Sequence, residues 1–383
     1  TYSRAMAIRI VPHGEDKKPL VEAFNARMRA GGSKWGFYVE PTSAWIPKRA
    51  EDQRLYREFF LAIKDDAEVV GAYGLKPQPW LIHGEERTVT DWQGPVSLGA
   101  IDNGYAALGL RMVRDMLKKQ PLLYSWGHGG SDEPIVVMLR KMGWLLHTTP
   151  FLFRVCRPTN FLRKNAYLRE DPKKALAQDV LAFSGLGTIG FAALHAALRM
   201  KSLKRFETVA EVVPEFGGWV DELWERAKGR YDAIAFRDAT SMNALFPTEQ
   251  MHTDWPPPTR LRIRRDGKDV GFAAVIEKQL TKDPRFGDMR VGMIADAFGL
   301  PEDASAIVWS AFDYLRESGV DMVMANQSHP GWVAGYEDAG FFKVDDRRIF
   351  CAAPALQEAL EPFEQTRRGL FLTNLDGHGP MGL

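Results

Sequence analysis

Cysteine is scarce in this chain, and its scarcity bounds both the compartment and the class of fold. Only 2 of the 383 residues are cysteines, Cys156 and Cys351. A secreted scaffold held by disulfides normally carries more, so we expect a reducing, cytoplasmic setting. The opening residues TYSRAMAIRIV also lack the basic region and the continuous apolar region of an export signal, so no such signal is expected.

An excess of charge of one sign is also missing. The chain carries 50 Lys+Arg against 49 Asp+Glu, so no overall field attracts a polyanion, and we expect no DNA partner. Apolar residues make up 45% and charged residues 26%, which is typical of a soluble globular protein. The length of 383 residues is about twice that of a typical domain, which favours two domains.

Long hydrophobic runs are nearly absent. The longest uncharged stretch, residues 180–198, has the length of a membrane span but contains three glycines, a serine, a threonine and a histidine. We interpret it as a buried or interdomain helix, with membrane contact as the alternative, and expect no stable membrane span.

Several catalytic signatures are missing as well. The eight histidines form no metal-type spacing with each other or with cysteine, so no metal site is expected. The chain has neither a GxSxG nucleophile turn nor a phosphate-binding P-loop, which argues against hydrolases and nucleotide triphosphatases. A GxGxxG match at 185–190 follows a helical pattern instead of a strand, so we interpret it as a turn or a helix contact.

An internal repeat with an offset of about 200 residues is the most informative feature that is present. LAIKDDAEVVGAYGL at 61–75 aligns with LRIRRDGKDVGFAAV at 261–275. Each copy predicts a strand, a charged hairpin turn and a second strand in which a glycine, Gly71 or Gly271, follows valine. The spacing suggests that the chain folds as two related halves.

A second pair of segments extends the repeat. DEPIVVMLRKMGW at 132–144 aligns with HPGWVAGYEDAGF at 329–341, and each predicts a helix that begins near proline and ends at glycine. An apolar strand with one cysteine follows in each copy, at Cys156 and at Cys351.

Each copy therefore predicts the order strand, helix, strand, strand, strand, helix, strand, helix, strand, which is a mixed α/β unit. We assign an N-terminal domain to residues 6–158, a helical linker to 159–206, a C-terminal domain to 207–360 and a tail to 361–383. The tail is rich in glycine and is expected to become ordered by docking on the body of the protein.

The last helix of each copy resembles the signature of the GNAT superfamily of N-acyltransferases, in which asparagine and proline precede apolar residues, tyrosine, two variable residues and then an apolar residue, glycine and an aromatic residue. The second copy keeps most of this pattern: Pro330, Tyr336, Gly340 and Phe341, with His329 in the asparagine place. The first copy keeps Gly143 and Trp144 but has Leu139 where tyrosine would stand. The resemblance covers about 300 residues and implies an α/β fold with a mixed sheet: two GNAT-like domains in tandem joined by a helical linker.

The same resemblance implies an acyl-CoA co-substrate, acetyl-CoA or a longer acyl-CoA, whose pyrophosphate is held by a loop and a helix N-terminus. In the first copy SLGAIDNGYAALGLRMV fits this loop. The residues expected to bind the cofactor are Asn103, Gly104, Ala107, Leu108 and Gly109. The second copy has Pro301, Glu302 and Asp303 at this place, and since carboxylates repel phosphate we expect no CoA there.

Four residues are the candidates for chemistry in the clefts. The resemblance implies that Tyr336 protonates the departing thiolate, the alternative being a packed aromatic ring. Asp91 lies on the strand where the resemblance places a general base, and Asp296 holds a comparable place in the second copy, where it is a candidate for binding substrate. His329 starts the signature helix and is expected to face the cleft or to be satisfied by the backbone.

The segment YSWGHGGSD follows a predicted strand and is the candidate for holding the acceptor, through Tyr124 and His128, its alternative being a simple turn. In the tail, Asp376 and His378 are candidates for closing over a site, the alternative being a flexible end.

The favoured hypothesis is a transferase that moves an acyl group from acyl-CoA to a small-molecule amine or saccharide acceptor, such as an amino sugar, by direct attack. One alternative is a Fem-type ligase, which also has two GNAT-like domains and uses aminoacyl-tRNA, so a tRNA partner belongs to that alternative alone. The one basic segment that supports this alternative is the charged stretch at 163–174. The other alternative is a non-catalytic binding protein with degenerate GNAT domains.

Overall fold

The computed structural model describes residues 8–127, 130–166, 207–248 and 257–379, together with residues 178, 181–182, 187, 189–190 and 193. The chain divides into two compact units. Unit 1 consists of Thr1–His147 and Ile349–Phe363, and unit 2 consists of Thr148–Arg348 and Glu364–Leu383.

The first half of the chain alternates between strands and helices in the predicted order. Its elements are β1 (Ile8–Pro12), α1 (Lys18–Ala30), β2 (Glu58–Lys64), β3 (Glu68–Ile82), β4 (Glu85–Ser97), α2 (Leu108–Lys119), β5 (Leu123–Gly127), α3 (Pro134–Lys141), β6 (Leu145–Val155) and α4 (Pro158–Lys164).

The second half repeats this order with one inserted strand and helix, and a further helix and strand follow at its end. Its elements are β7 (Val209–Val213), α5 (Gly218–Ala227), β8 (Ala233–Ala235), α6 (Ala239–Leu245), β9 (Thr259–Arg265), β10 (Lys268–Gln279), β11 (Arg290–Gly299), α7 (Ala304–Ser318), β12 (Met322–Asn326), α8 (Pro330–Asp338), β13 (Phe342–Ala352), α9 (Pro354–Ala359), α10 (Phe363–Thr366) and β14 (Leu370–Phe371). The insertion is β8 and α6.

The strands of the two units pair in the same pattern. In unit 1 the order is β1, β2, β3, β4, β5 and the end of β13, and in unit 2 it is β7, β9, β10, β11, β12 and β6. All neighbours are antiparallel except β4 with β5 and β11 with β12, which are parallel. The predicted mixed α/β fold is therefore confirmed, and the repeat in the sequence corresponds to a repeat in topology.

Local sequence explains the helices that position the clefts. On α2 the buried side chains are spaced so that they share one helix face: Leu108, Met112, Val113 and Met116. The signature helices α3 and α8 each begin at a proline, whose missing N–H costs nothing at the first helical position. Each ends near a glycine with positive φ, Gly143 at 80° and Gly340 at 81°, a conformation that other residues adopt only with strain.

The boundary between the units divides the final strand of each half. β6 belongs to the first half of the chain, but its residues from Phe151 to Val155 pair with β12 in unit 2. β13 belongs to the second half, but Ile349–Ala352 pair with β5 in unit 1. We call this arrangement the strand exchange.

Three expectations from the sequence concern segments that are only partly described. They are the uncharged stretch at 180–198, the GxGxxG match within it and the helical linker, most of whose residues lie outside the described residues. Within the part of the chain that the structure describes, no helix has the length and hydropathy needed to cross a membrane.

Candidate active site

In unit 1 the pairing of β4 with β5 ends at Asp91 and Tyr124, and we call the region beyond this point the cleft of unit 1. Thr90 pairs with Leu123 and Asp91 pairs with Tyr124, and β4 then continues to Ser97. On its other edge, β4 shifts register against β3 and contains Gly94, whose φ is 51°. A bulge of this kind bends a strand and turns backbone groups away from the ladder. The fourth strand of unit 1 is thereby separated from the fifth just after Asp91.

Asp91 lies at the base of this cleft and is fully buried. Its Oδ2 accepts a hydrogen bond of 2.8 Å from Nε2 of Gln93, and Nζ of Lys76 lies 4.0 Å from the same oxygen. Lys76 is also fully buried and lies directly opposite Asp91 on β3, with its Nζ 5.4 Å from the ring centre of Trp45. A buried carboxylate needs such partners, because leaving water costs an unpaired charge several kcal/mol.

Tyr124 is the residue of β5 that pairs with Asp91. The tyrosine is fully buried on β5, and its hydroxyl accepts a hydrogen bond of 3.2 Å from Nε2 of Gln78. Its ring packs against Trp80 and Phe350. The candidate acceptor residue is therefore part of the packed wall of the cleft, and His128 lies outside the described residues.

The loop predicted to hold CoA leads directly into α2. Asn103 and Gly104 are exposed in a short 3₁₀ turn that is capped by Asp102. Ala107 is the N-cap of α2, and no described side chain caps this helix end. The side chain of Leu108 points into the core, whereas around Gly109 an added Cβ would meet no described atom within 4 Å.

An uncapped helix end has amide N–H groups without intrahelical partners, and these favour an anion such as phosphate. The one acidic side chain in the loop, Asp102, is paired with Arg27, whose Nη2 lies 3.3 Å from Oδ2. Its charge is thereby partly offset. The loop geometry is compatible with the predicted role, which stays a prediction.

The register of unit 2 shows which residues correspond to the base of the unit 1 cleft. Met293 pairs with Met324 at the last parallel position of β11 and β12 and lies opposite Ile276, just as Asp91 lies opposite Lys76. β11 also contains one extra residue, Ala295, between its paired positions. By its strand partners, Met293 is therefore the residue of unit 2 that corresponds to Asp91.

Asp296 consequently corresponds to Gln93 and not to Asp91. Asp296 lies opposite Ala274 on β10, and Gln93 lies opposite Gly74, the residue 200 positions earlier on β3. The comparable place that the sequence indicated for Asp296 is thus shifted along the strand by the bulge.

Asp296 belongs to a buried cluster of one guanidinium and two carboxylates. Arg237 donates from Nε to Oδ2 of Asp296 at 2.9 Å and from Nη2 to Oδ2 of Asp376 at 2.7 Å, and all three side chains are buried. Burial raises the pKa of Asp296 to about 6, with Arg237 opposing the shift and Asp376 adding to it. Two carboxylates share one cation, so the cluster favours keeping a proton on Asp296 in mildly acidic solution.

Tyr336 and His329 lie on α8 in unit 2. Burial raises the pKa of Tyr336 well above that of a free phenol, and its ring packs edge to face on Phe341 at 5.1 Å between ring centres. His329 caps α8: its Nδ1 accepts a hydrogen bond of 3.1 Å from the amide of Gly331. The backbone amide of His329 in turn donates to Oε1 of Gln327.

His329 is expected to stay neutral, with its proton on Nε2, from about pH 8 to about pH 5. Burial, with the charge of Arg230 adding to it, lowers the pKa of its imidazole to about 4. Long-range proton–nitrogen NMR spectra, assigned by comparison with the His329→Asn variant, should show an unprotonated Nδ1 throughout this range. A titration midpoint near 6.5 would contradict the burial argument.

The acidic turn before α7 is neutralised by arginines. Arg230 Nη1 lies 2.7 Å from Oε1 of Glu302, and Arg265 pairs with Asp303. Both carboxylates lie in the turn at the N-terminal end of α7, where a phosphate would bind. That unit 2 does not bind CoA stays a prediction.

The structure assigns the predicted site residues to both units. Asp91, Tyr124 and the loop at 103–109 belong to unit 1, whereas His329, Tyr336 and Asp296 belong to unit 2. Sequence reasoning missed Lys76, Gln93 and Arg237. Their one visible signal is a charged or polar residue inside an otherwise apolar strand or strand end, as in YGLKPQPW for Lys76 and AIAFRD for Arg237.

Among the described residues, no group of three or more histidine, cysteine, aspartate or glutamate side chains is arranged to hold a metal ion.

Similarity to known proteins is found in structure and not in sequence. No protein-family model and no curated protein matches the chain by sequence. Its fold is similar to that of a GCN5-related N-acetyltransferase from Anabaena variabilis, with a TM-score of 0.51 and 10% identity over 91% of this chain and 73% of the other. The fold is also similar to that of a probable N-acyltransferase from Enterococcus faecalis. The TM-score is 0.52, and the identity is 12% over 93% of this chain and 74% of the other.

A third similar structure is the N-myristoyltransferase of Saccharomyces cerevisiae with bound myristoyl-CoA. It gives a TM-score of 0.52 and 10% identity over 90% of this chain and 78% of the other. The chain thus has the GNAT fold of N-acetyltransferases and N-myristoyltransferases, as the signature helices indicated. At these identities the similarity concerns the fold, and the chemistry has to be argued from the residues of this chain.

Proposed function

We propose that this protein transfers an acyl group from acyl-CoA to a small amine, and that unit 1 binds the donor. The observation that carries the proposal is the cleft of unit 1. There the β4 and β5 ladder ends at Asp91 and Tyr124, a bulge at Gly94 follows, and α2 begins with no described side chain capping it. Open backbone groups and a helix N-terminus are what an extended thioester with a pyrophosphate end requires.

The fold similarity supports the donor class. One of the similar structures contains myristoyl-CoA bound to an enzyme with this fold. In this chain the thioester would lie along the bulged edge of β4, with its phosphates at the amides of Leu108 and Gly109.

The reaction is a direct displacement. The nitrogen of the acceptor attacks the thioester carbonyl carbon, a C–N bond forms, and the C–S bond breaks with departure of the CoA thiolate. The attacking amine must lose a proton, and we assign this proton to Asp91, the fully buried carboxylate at the last paired position of β4 with β5, which would receive it through one water. Lys76 and Gln93 hold that carboxylate in position.

The acceptor is proposed to be an amino sugar or a similar small amine. Exposed aromatic rings offer flat apolar faces to such molecules, and unit 1 carries two of them in the irregular segment between α1 and β2. Trp35 is 71% exposed and Tyr38 is 50% exposed.

Donor binding is tested by Gly109→Glu. The substitution places a carboxylate in the first turn of α2, where the phosphates are proposed to lie, and no described atom lies within 4 Å of a Cβ added at Gly109. We expect the Kd for acetyl-CoA, measured by isothermal titration calorimetry, to rise by about tenfold or more because like charges repel.

The matched control is Gly109→Gln, which has the same shape without the charge and should bind acetyl-CoA far more tightly than the glutamate variant. A carboxylate near a helix N-terminus stabilises the helix, so misfolding would not explain a loss of binding. Equal binding by both variants would show that the phosphates of the donor do not lie at the N-terminus of α2. If the unmodified protein binds no acyl-CoA, the proposal is refuted.

A further inference from the structure

In unit 2 we call the region beyond the last paired residues of β11 and β12 the cleft of unit 2, and the C-terminal part of the chain occupies it. β11 and β12 pair up to Met293 and Met324, and β11 then continues to Gly299. The segment that enters this region is residues 369–377, which we call the tail segment. Each of its residues is buried, although by sequence it belongs to a glycine-rich tail.

On one side, the tail segment is bonded to the residues that follow β12. The amide of Ser328 donates to the carbonyl of Leu372 at 3.1 Å, and the amide of Leu372 donates to Oγ of Ser328 at 2.8 Å. Oγ of Ser328 also donates to the carbonyl of Leu370 at 2.6 Å. A further backbone bridge joins Gln327 to Thr373. These bonds extend the edge of β12 with the protein's own backbone.

On the other side, the tail segment contacts β11 and the buried charge cluster. Nδ2 of Asn374 lies 2.6 Å from Sδ of Met293, the residue at which the ladder ends. Asp376 reaches Arg237, which also holds Asp296 on β11. The tail segment is therefore connected to both strands that border the cleft.

The apolar part of the tail segment is as buried as the core. Leu370, Phe371 and Leu372 are each 0% exposed, and the ring of Phe371 packs edge to face on Trp332 and Tyr231. β14 also pairs in parallel with β8, and the amide of Asp232 donates to the carbonyl of Gly369. Removing the tail segment from this position would expose three fully buried apolar side chains to water, which is unfavourable.

We propose that the tail segment is a permanent plug of the unit 2 cleft, so that the protein has a single donor site per chain and it is not in unit 2. The inference rests on the proposed function for the meaning of the cleft. An extended thioester needs open strand edges for its amide groups, and in unit 2 these edges are occupied by the tail segment. Arg237 acts as a positioning residue that ties the plug to β11.

The plug itself is tested by hydrogen exchange followed by mass spectrometry or NMR. The amides of Ser328 and Leu372 should exchange as slowly as those in the interior of β10 and β11, and saturating acetyl-CoA should leave their rates unchanged. Fast exchange at these two amides, or faster exchange when acetyl-CoA is added, would show a segment that leaves the cleft and would overturn the proposal. This readout does not require that the protein be active.

The permanence of the plug is tested by a reversible lock. Ser328→Cys combined with Leu372→Cys places two thiols on backbones that are within hydrogen-bonding distance of each other. The native thiols are poor competitors, because burial raises the pKa of Cys156 and of Cys351 to about 12. The control is Ser328→Cys alone under the same oxidant.

The oxidised double variant should bind one acetyl-CoA per chain, with the same Kd as its reduced form. Two sites per chain, or binding lost on oxidation and restored by a reductant, would refute the plug. Absence of acetyl-CoA binding in every form would instead refute the proposed function, and the exchange rates would still decide whether the cleft is closed. If the disulfide does not form in a folded variant, the decision rests on the exchange rates of the Ser328 and Leu372 amides, because buried thiols can stay reduced on adjacent backbones.

Discussion

The Asp91→Asn variant is expected to lose about 100- to 10,000-fold in kcat while its Kd for acetyl-CoA changes by less than about threefold. Asparagine has nearly the same shape as aspartate and still accepts the hydrogen bond of Gln93, but it cannot take a proton from the acceptor amine. Single-turnover transfer of a radiolabelled acetyl group to an amine acceptor, with donor binding measured in parallel, separates chemistry from binding.

A second variant distinguishes a base from a structural ion pair. Asp91→Asn leaves the buried Lys76 without its carboxylate, so some loss could come from a disturbed cleft. Lys76→Met together with Asp91→Asn removes both charges. If Asp91 is the base, the double variant stays as slow as the single one, and if Asp91 only neutralises Lys76, activity returns. The pH profile adds a check, because the limb that reports the base should vanish in both variants.

The Arg237→Met variant is expected to lower the free energy of unfolding by about 3–5 kcal/mol at neutral pH, measured by urea denaturation. Methionine fills much of the space but leaves Asp296 and Asp376 buried without their cation. Partial rescue is expected when both carboxylates are also replaced by asparagine, since the buried negative charge is then removed.

The pH dependence and a matched surface variant test whether two buried carboxylates without a cation cause the loss of stability in Arg237→Met. The pKa of Asp296 is already raised to about 6 with Arg237 present, so without it protons bind more strongly and relieve the variant as the pH falls. The loss should therefore be smaller at about pH 5 than at about pH 8. The control is Arg230→Met, which breaks the half-exposed pair with Glu302 and should cost less than about 1 kcal/mol. Equal losses in the two variants would contradict the burial argument.

The repeated topology was predictable because short patterns in the sequence indicate its hairpins and helix ends. The alternation around Gly71 and Gly271 marks two hairpins, and these are β2 with β3 and β9 with β10. The proline and glycine at the ends of α3 and α8 likewise fix both helices. Such signals act within a few residues, so they survive even where the two copies share few side chains.

Features that depend on long-range pairing were not predictable. The extra residue Ala295 moves Asp296 along β11, and spacing alone cannot show a bulge. The burial of Arg237 depends on Asp376, which lies 139 positions later in the chain. A guanidinium is normally expected at the surface, and only the arrival of the tail segment makes its burial possible.

The strand exchange also sets the order in which the molecule can be completed during synthesis. Unit 1 includes Ile349–Phe363, so the sheet that holds Asp91 lacks its last strand until this segment has left the ribosome. At about 5–20 residues per second, the 200 or so residues that separate β6 from β13 represent roughly 10–40 seconds. During that interval the edge of β5 has no strand of β13 to pair with, and an unpaired edge is a template for wrong pairing.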